Sequence, residues 1–409
     1  MRRTALVVLV AFALAACTRT VEPTPLQTTS PSAPSRTEPA STAVPTQSPS
    51  PSAVATITYS FAPLPTPSPG EPIASPETLV SDGIVWTRFD GSSLPGLGGD
   101  TYVQQTGGRF LVNSEKGNSE FLLSSEDGLT WLNLGAVVTE PDSARDFHQA
   151  QNTILALGSH GPNGPYNEPE IGVWSSADGG ATWTFVNEPS FTSRRCGSGP
   201  GEIVSDGAEL IGIGPGIWHS LDGVEWTCVG PTPHDAITSG HGMFIGVWST
   251  NPYSEPQRFW HSDDGVNWQR VQTAPLSTEL PITIGAGFVT IAGAGGPGQP
   301  PTHLLTSADG LTWSEQPYPF GDADLYLVGS DGDRAVALQD ERSTDPNEAG
   351  PGAIWVSSSN GTAWSKYQVP PRAGDEAVGV ALLGDVIVVT GFSAGNSTVD
   401  AVVWSAHLP

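Results

Sequence analysis

From residue 77 onward the chain repeats one pattern, a short apolar stretch introduced by glycine, asparagine or aspartate. The stretches read RFLV after Gly107-Gly108, TILAL after Asn152, ELIGI after Asp206-Gly207 and MFIGV after Gly240-His241-Gly242. FVTIA after Gly285-Ala286-Gly287, RAVAL after Asp331-Gly332 and VIVV after Gly384-Asp385 continue the series. Such runs, bounded by residues that tolerate positive φ, predict strands joined by tight hairpins. A further strand follows in most repeats, with an aromatic or aliphatic residue close to a serine: VWSS at Trp174, IWHS at Trp218, FWHS at Trp260, LLTS at Leu305 and IWVS at Trp355. No segment shows convincing helical periodicity, so the fold class is all-β.

The pattern has a marker, D-G-x-x-W, ending at Trp86, Trp131, Trp226, Trp268 and Trp313. The copy ending at Trp183, SADGGATW, is one residue longer, and the copy ending at Trp364 carries Asn360 in place of Asp. Successive tryptophans lie 45, 52, 43, 42, 45 and 51 residues apart. A period of about 40–50 residues holding four short strands is the signature of a β-propeller. In each copy the carboxylate can accept backbone N–H bonds across the turn, the glycine supplies a conformation that other residues resist, and the tryptophan supplies burial between sheets. The set resembles the Asp-box, or BNR, repeat of sialidases and related propellers. Residues 176–183 match the pattern S-x-D-x-G-x-T-W at every fixed position. In that family the boxes are peripheral, which implies structural roles for Asp82, Asp127, Asp178, Asp222, Asp264, Asp309 and Asn360.

The first marker has no strands of its own repeat before it, and the last repeat ends at AVVWSA around Trp404 without a marker. One piece completes the other. The strand at residues 84–89 is therefore expected to close the last blade beside Trp404, hiding two strand edges. Six full repeats plus this composite predict a seven-bladed propeller of four-stranded blades over residues 77–409, with six or eight blades if one repeat is misassigned.

The N-terminus differs. Arg2 and Arg3 precede an apolar run at residues 5–16, shorter than the about 20 residues that span a bilayer. Residues 1–17 read as a signal peptide. Leu14-Ala15-Ala16-Cys17 resembles a bacterial lipobox, which implies lipidation at Cys17 and a position in the cell envelope, outside the cytoplasmic membrane. Residues 18–76 are rich in Pro, Ser and Thr and form a disordered linker that could reach on the order of 150 Å. Cys196 and Cys228 are then the pair left in an exported chain and suggest a disulfide. The net charge of −26, with two lysines, Lys116 and Lys366, excludes nucleic acid and electrostatic docking on anionic lipid.

Candidate chemistry lies where each inner strand begins. Asp100, Asp146, Glu202, Asp235, Glu279, Asp324 and Glu376 could ring the channel mouth and attract a cation such as Ca²⁺, or a basic ligand. The plainer reading, which we favour, is that these acids accept backbone bonds. No other cofactor or metal site is expected. Resemblance to sialidases, which bind a substrate carboxylate with three arginines and use a Tyr–Glu pair and an Asp, singles out Arg145, Arg195, Arg372, Tyr326, Glu376 and Asp146. The Arg-Ile-Pro element of sialidases is absent, and their propellers have six blades. Tyr102 and His148 stand two residues past their acids. Tyr166 and Tyr253, on long loops, are contact candidates for a protein or glycan. GFSAG at residues 391–395 lacks the strand-to-helix turn of a nucleophile elbow. His219 and His261 read as structural. The expected function is a monomeric, lipid-anchored surface binding or assembly protein for a protein, peptide or glycan, similar in architecture to photosystem II assembly factors. The alternative is a sialidase-type exo-glycosidase. Three arginines converging on one carboxylate-sized space would favour the enzyme, and arginines each paired with their own acid the binder.

Overall fold

The computed structural model describes residues 58–59 and 75–409, except for 117–118, 140–141, 151, 162–169, 187–195, 198, 206–208, 233–234, 249–257, 272–279, 293–302, 322–324, 340–351, 371, 373 and 395–398. Two short N-terminal strands, β1 (Thr58–Tyr59) and β2 (Glu77–Ser81), precede β3 (Ile84–Asp90). Blade 1 is β4 (Thr101–Thr106), β5 (Arg109–Lys116), β6 (Ser119–Ser125) and β7 (Leu132–Thr139). Blade 2 is β8 (Ser143–Ala150), β9 (Thr153–His160), β10 (Glu170–Ser176) and β11 (Trp183–Phe185). Blade 3 is β12 (Glu202–Ser205), β13 (Leu210–Ile213), β14 (Gly216–Ser220) and β15 (Thr227–Pro231). Blade 4 is β16 (Ala236–Gly240), β17 (Met243–Trp248), β18 (Arg258–Ser262) and β19 (Gln269–Arg270). Blade 5 is β20 (Ile282–Ile284), β21 (Gly287–Ala292), β22 (His303–Ser307) and β23 (Ser314–Pro317). Blade 6 is β24 (Leu325–Ser330), β25 (Ala335–Gln339), β26 (Ala353–Ser357) and β27 (Trp364–Gln368). Blade 7 holds β28 (Asp375–Leu383), β29 (Val386–Ala394) and β30 (Val399–His407). The result is a seven-bladed β-propeller of antiparallel sheets.

Blade 7 closes as the sequence predicts. β3 lies antiparallel to β30, with Arg88 opposite Trp404 and Phe89 opposite Val403. β2 then adds a fifth strand outside β3. β1 pairs with the outer edge of blade 2, so Thr58 and Tyr59, expected within an irregular linker, are extended. Cys17 and the rest of residues 18–74 lie outside the described residues.

The core is distributed around the ring, because each sheet buries both faces against its neighbours. Every hydrophobic cluster of the described residues joins residues of two adjacent blades. Trp404 and Trp86 of blade 7 share one with Val336 and Ile354 of blade 6, and Phe110 of blade 1 shares another with Val403 of blade 7. Blades 1 and 2 meet through Leu122 and Trp174, and blades 2 and 3 through Leu155 and Trp218.

The D-G-x-x-W turns sit between the third and fourth strands and repeat one bond set. Asp264 Oδ1 accepts the N–H groups of Val266 at 2.9 Å and Asn267 at 2.7 Å, and Ser262 Oγ donates to it at 3.0 Å. Trp268 Nε1 donates to the Gly265 carbonyl at 2.9 Å. Asp127, Asp222 and Asp309 repeat the arrangement, whereas Asn360 accepts from Ser358 Oγ and Thr362 N–H and leaves Ala363 N–H to Ser358 Oγ at 3.1 Å. The glycine has a second duty that its φ does not reveal. A Cβ on Gly223 would lie 2.5 Å from Leu155 in the preceding blade, and one on Gly265 would lie 2.3 Å from Ile211. The box glycine is thus a contact point between blades.

Two further copies depart from this set. In the longer one Asp178 still receives Thr182 N–H at 2.9 Å, but Trp183 begins β11, is 1% exposed and leaves its indole N–H without a partner. The first copy is a different structure. Asp82 and Gly83 have φ of 51° and 77° and form the tight turn of the β2–β3 hairpin, and Trp86 lies within β3. The expected box role of Asp82 is corrected accordingly. Its carboxylate instead accepts Gln368 N–H of blade 6 at 3.0 Å. Cys196 and Cys228 form the disulfide, tying the segment before β12 to the outer strand of blade 3.

Candidate functional site

In an antiparallel blade the start of strand one, the end of strand two, the start of strand three and the end of strand four share one face. At the junction of blades 7 and 1 that face carries a cavity of about 840 Å³. This lies within the 300–1,000 Å³ range usual for small-molecule sites. Asp90, at the end of β3, and Ser393 and Asp400, from the β29–β30 end, line its blade 7 side. Asp100 and Glu115 line its blade 1 side, Arg372 stands on the segment before β28, and Gly91, Gly98 and Gly99 add wall without side chains.

Arg88 also lines the cavity. It shares the buried face of β3 with Ile84 and Trp86, and its side chain is 3% exposed. Burying a guanidinium requires a partner. Asp375, the first residue of β28 and itself buried, supplies it: Nε donates to Oδ2 at 2.9 Å and Nη2 to Oδ1 at 3.2 Å. The remaining nitrogen, Nη1, faces Asp90 Oδ2 at 3.7 Å, too far for a hydrogen bond. Asp90 Oδ1 accepts the N–H groups of Ser92 and Ser93 at 3.0 and 3.2 Å. Burial raises the Asp90 pKa, but these bonds and the Arg88 charge outweigh it and leave the carboxyl below its usual value.

The structure places the sequence-derived candidates unevenly. Glu376 is exposed, and its neighbour Asp375 is the buried acid, because adjacent strand residues point to opposite faces. Arg372 is exposed and paired with Glu77 at 2.7 Å, and it lines the same cavity as Arg88. Arg145 and Tyr326 lie on β8 and β24, but their side chains, like Arg195, Glu279, Asp324, Tyr166 and Tyr253, fall outside the described residues. Asp146 Oδ1 accepts a bond from Gln104 Nε2 of blade 1 at 3.3 Å, and Gln104 Oε1 accepts Phe147 N–H at 2.7 Å. Glu202 accepts the Ile237 N–H of blade 4; burial, with help from the Asp146 charge, nonetheless raises its pKa to about 7. Asp146 thus links blade 2 to blade 1 through a side-chain amide, and Glu202 links blade 3 to blade 4 through a backbone N–H, the bond that the plainer reading gives these acids. Among the described residues no group of three or more His, Cys, Asp or Glu is arranged to hold a metal.

A second space, about 230 Å³, opens in the channel between β4, β8, β24 and β28. His148 lines it, with Nε2 buried and unpartnered, and burial pushes its pKa down to about 4 against the pull of Asp146. The imidazole is neutral at pH 7. His219 bonds Glu209 at 3.0 Å and His261 contacts Gln269 at 3.2 Å, both local structural pairs.

No protein-family pattern matches the chain, and no curated protein matches it. Solved structures similar to it include sialidases and other propeller enzymes. A protein of unknown function from Dyadobacter fermentans is 14% identical with a TM-score of 0.39, covering 77% of this chain and all of that one. A Penicillium chrysogenum α-L-arabinanase is 16% identical with a TM-score of 0.37, over 76% of this chain and 93% of that one. A Trypanosoma rangeli sialidase is 12% identical with a TM-score of 0.40, over 86% of this chain and 59% of that one. The class established is the seven-bladed β-propeller, whose structural neighbours include glycosidases, sialidases and peptidases.

Proposed function

We propose that this chain is a binding protein of the cell surface, held through lipid at Cys17, whose ligand lodges between blades 7 and 1. The observation that carries the reading is the loop-face cavity of about 840 Å³ with Arg88 and Asp375 buried beneath it. The described arginines near it support binding over sialidase chemistry, since Arg88 is tied to Asp375 and Arg372 to Glu77. A carboxylate-binding triad needs guanidinium edges free to converge on one anion.

The test is a paired screen of the full chain. Immobilised glycans and peptides report binding, and fluorogenic sialosides and other glycosides report turnover. The reading expects binding that Ser393→Trp, a substitution filling the cavity, reduces at least tenfold, with no turnover. Glycoside hydrolysis is the second reading, favoured by one observation: Glu202, protonated up to about pH 7, stands beside the charge of Asp146. A carboxyl that stays protonated near neutral pH is what the general acid of glycoside hydrolysis requires. Turnover abolished by Glu202→Gln would establish that reading and displace the first.

A further inference from the structure

Arg88 and Asp90 present a matched pair of unused groups to the cavity. Arg88 Nη1 carries N–H donors without an acceptor, because Asp375 occupies Nε and Nη2. Asp90 Oδ2 is an acceptor without a donor, because its serine bonds fall on Oδ1. The two atoms are 3.7 Å apart. One oxygen placed about 2.8 Å from each can accept from Nη1 and donate to Oδ2 at once.

Charge decides what carries that oxygen. A carboxylate ligand would meet a guanidinium already neutralised by Asp375, and it would face Asp90, Asp100, Glu115 and Asp400. An ammonium ligand would suit those acids but has no lone pair with which to accept from Nη1. A hydroxyl does both jobs and brings no charge into the site. Asp100 and Glu115 can accept from further hydroxyls of the same molecule. The glycine wall leaves room for a ring: a Cβ on Gly99 would already lie 3.1 Å from the Glu115 carbonyl, and Gly91 and Gly98 add no bulk.

We infer that this cavity takes an uncharged polyhydroxyl ligand, a neutral sugar, with one hydroxyl bridging Arg88 Nη1 and Asp90 Oδ2. The inference rests on the binding reading above and specifies its ligand. The test is saturation-transfer NMR of the full chain against neutral mono- and disaccharides, with glucuronate and an oligolysine peptide as charged probes. At least one neutral sugar is expected to bind saturably. Asp90→Asn keeps the Oδ1 acceptor but turns the other position into a donor, and it should weaken that sugar at least tenfold. Ser393→Trp should weaken it comparably by occlusion, and melting of both variants checks that they fold. Sugar binding indifferent to both substitutions overturns the inference, because the sugar then sits elsewhere. If a charged probe binds and is blocked by Ser393→Trp while no sugar binds, the hydroxyl inference falls and the binding cavity stands. If no probe of any class gives a signal that Ser393→Trp removes, both fall.

Discussion

The Arg88–Asp375 pair joins the strand that closes the ring to the inner strand of the same blade, 287 residues away in sequence. Its side chains are 3% and 0% exposed. Removing one partner strands the other charge in the interior, a loss of about 3–5 kcal/mol in comparable buried pairs. Arg88→Met leaves the Asp375 carboxylate with no cation, and Asp375→Leu leaves the guanidinium with only Asp90 at 3.7 Å. The double variant removes both charges and keeps similar volume, so it should fall within about 1–2 kcal/mol of the parent. The expected coupling is therefore at least about 3 kcal/mol and favourable to the pair. Denaturant unfolding of the full chain at pH 7, followed by tryptophan fluorescence, measures it. Single variants costing under about 1 kcal/mol, or a double variant as unstable as the sum of the two, would refute the reasoning.

Three further outcomes follow from other parts of the molecule. Glu202, raised from 4.5 to about 7, is protonated in the native state at acidic pH, so stability falls as pH rises from about 4.5 to 7 and stays reduced above. Glu202→Gln keeps an acceptor for Ile237 N–H and should stabilise by about 1–3 kcal/mol at pH 8, with little effect near pH 4, read from the denaturation midpoint. The box aspartates shift the other way. At Asp264 burial pushes the pKa up, but the bonds from Asn267, Val266 and Ser262 bring it down to about 2, and Asp127, Asp178, Asp222 and Asp309 are also lowered. Their stabilisation is complete above the unfolded value and disappears as pH falls from about 4 towards 2, so Asp264→Asn should flatten an acid-unfolding curve in that interval. Gly223→Ala meets both a φ of +75° and Leu155 at 2.5 Å, and should cost about 2–4 kcal/mol by thermal or chemical unfolding, more than the same change at open Gly83.

Much of the ring was legible because its punctuation is local. Each D-G-x-x-W turn closes on its own backbone, so sequence spacing alone counted the blades and showed which blade lacked a strand. Asp82 misled because a tight hairpin and a box turn share the letters D-G, and what separates them is whether a third blade strand precedes. The contact of Gly223 with Leu155 is invisible in sequence because it depends on how the preceding blade packs against this one. The site was less legible. Arg88 occupies an inward position in I-V-W-T-R-F-D, alternating with Ile84 and Trp86, and that alternation was the available signal that a buried charge needed a partner. Its partner Asp375, the first inward position of β28, lies one residue before Glu376, which the sequence offers as a channel-mouth acid. No local pattern could pair residues 287 apart.

The most direct test of the account is hydrogen-exchange mass spectrometry of the full chain with and without a saturating neutral disaccharide. The account predicts slowed exchange in the segments that line the blade 7–blade 1 cavity, around residues 88–100 and at Ser393 and Asp400, with the channel-facing start of β8 and β12 unchanged. Protection centred on Asp146 and Glu202, with none at the cavity, would contradict it and move the site to the channel mouth.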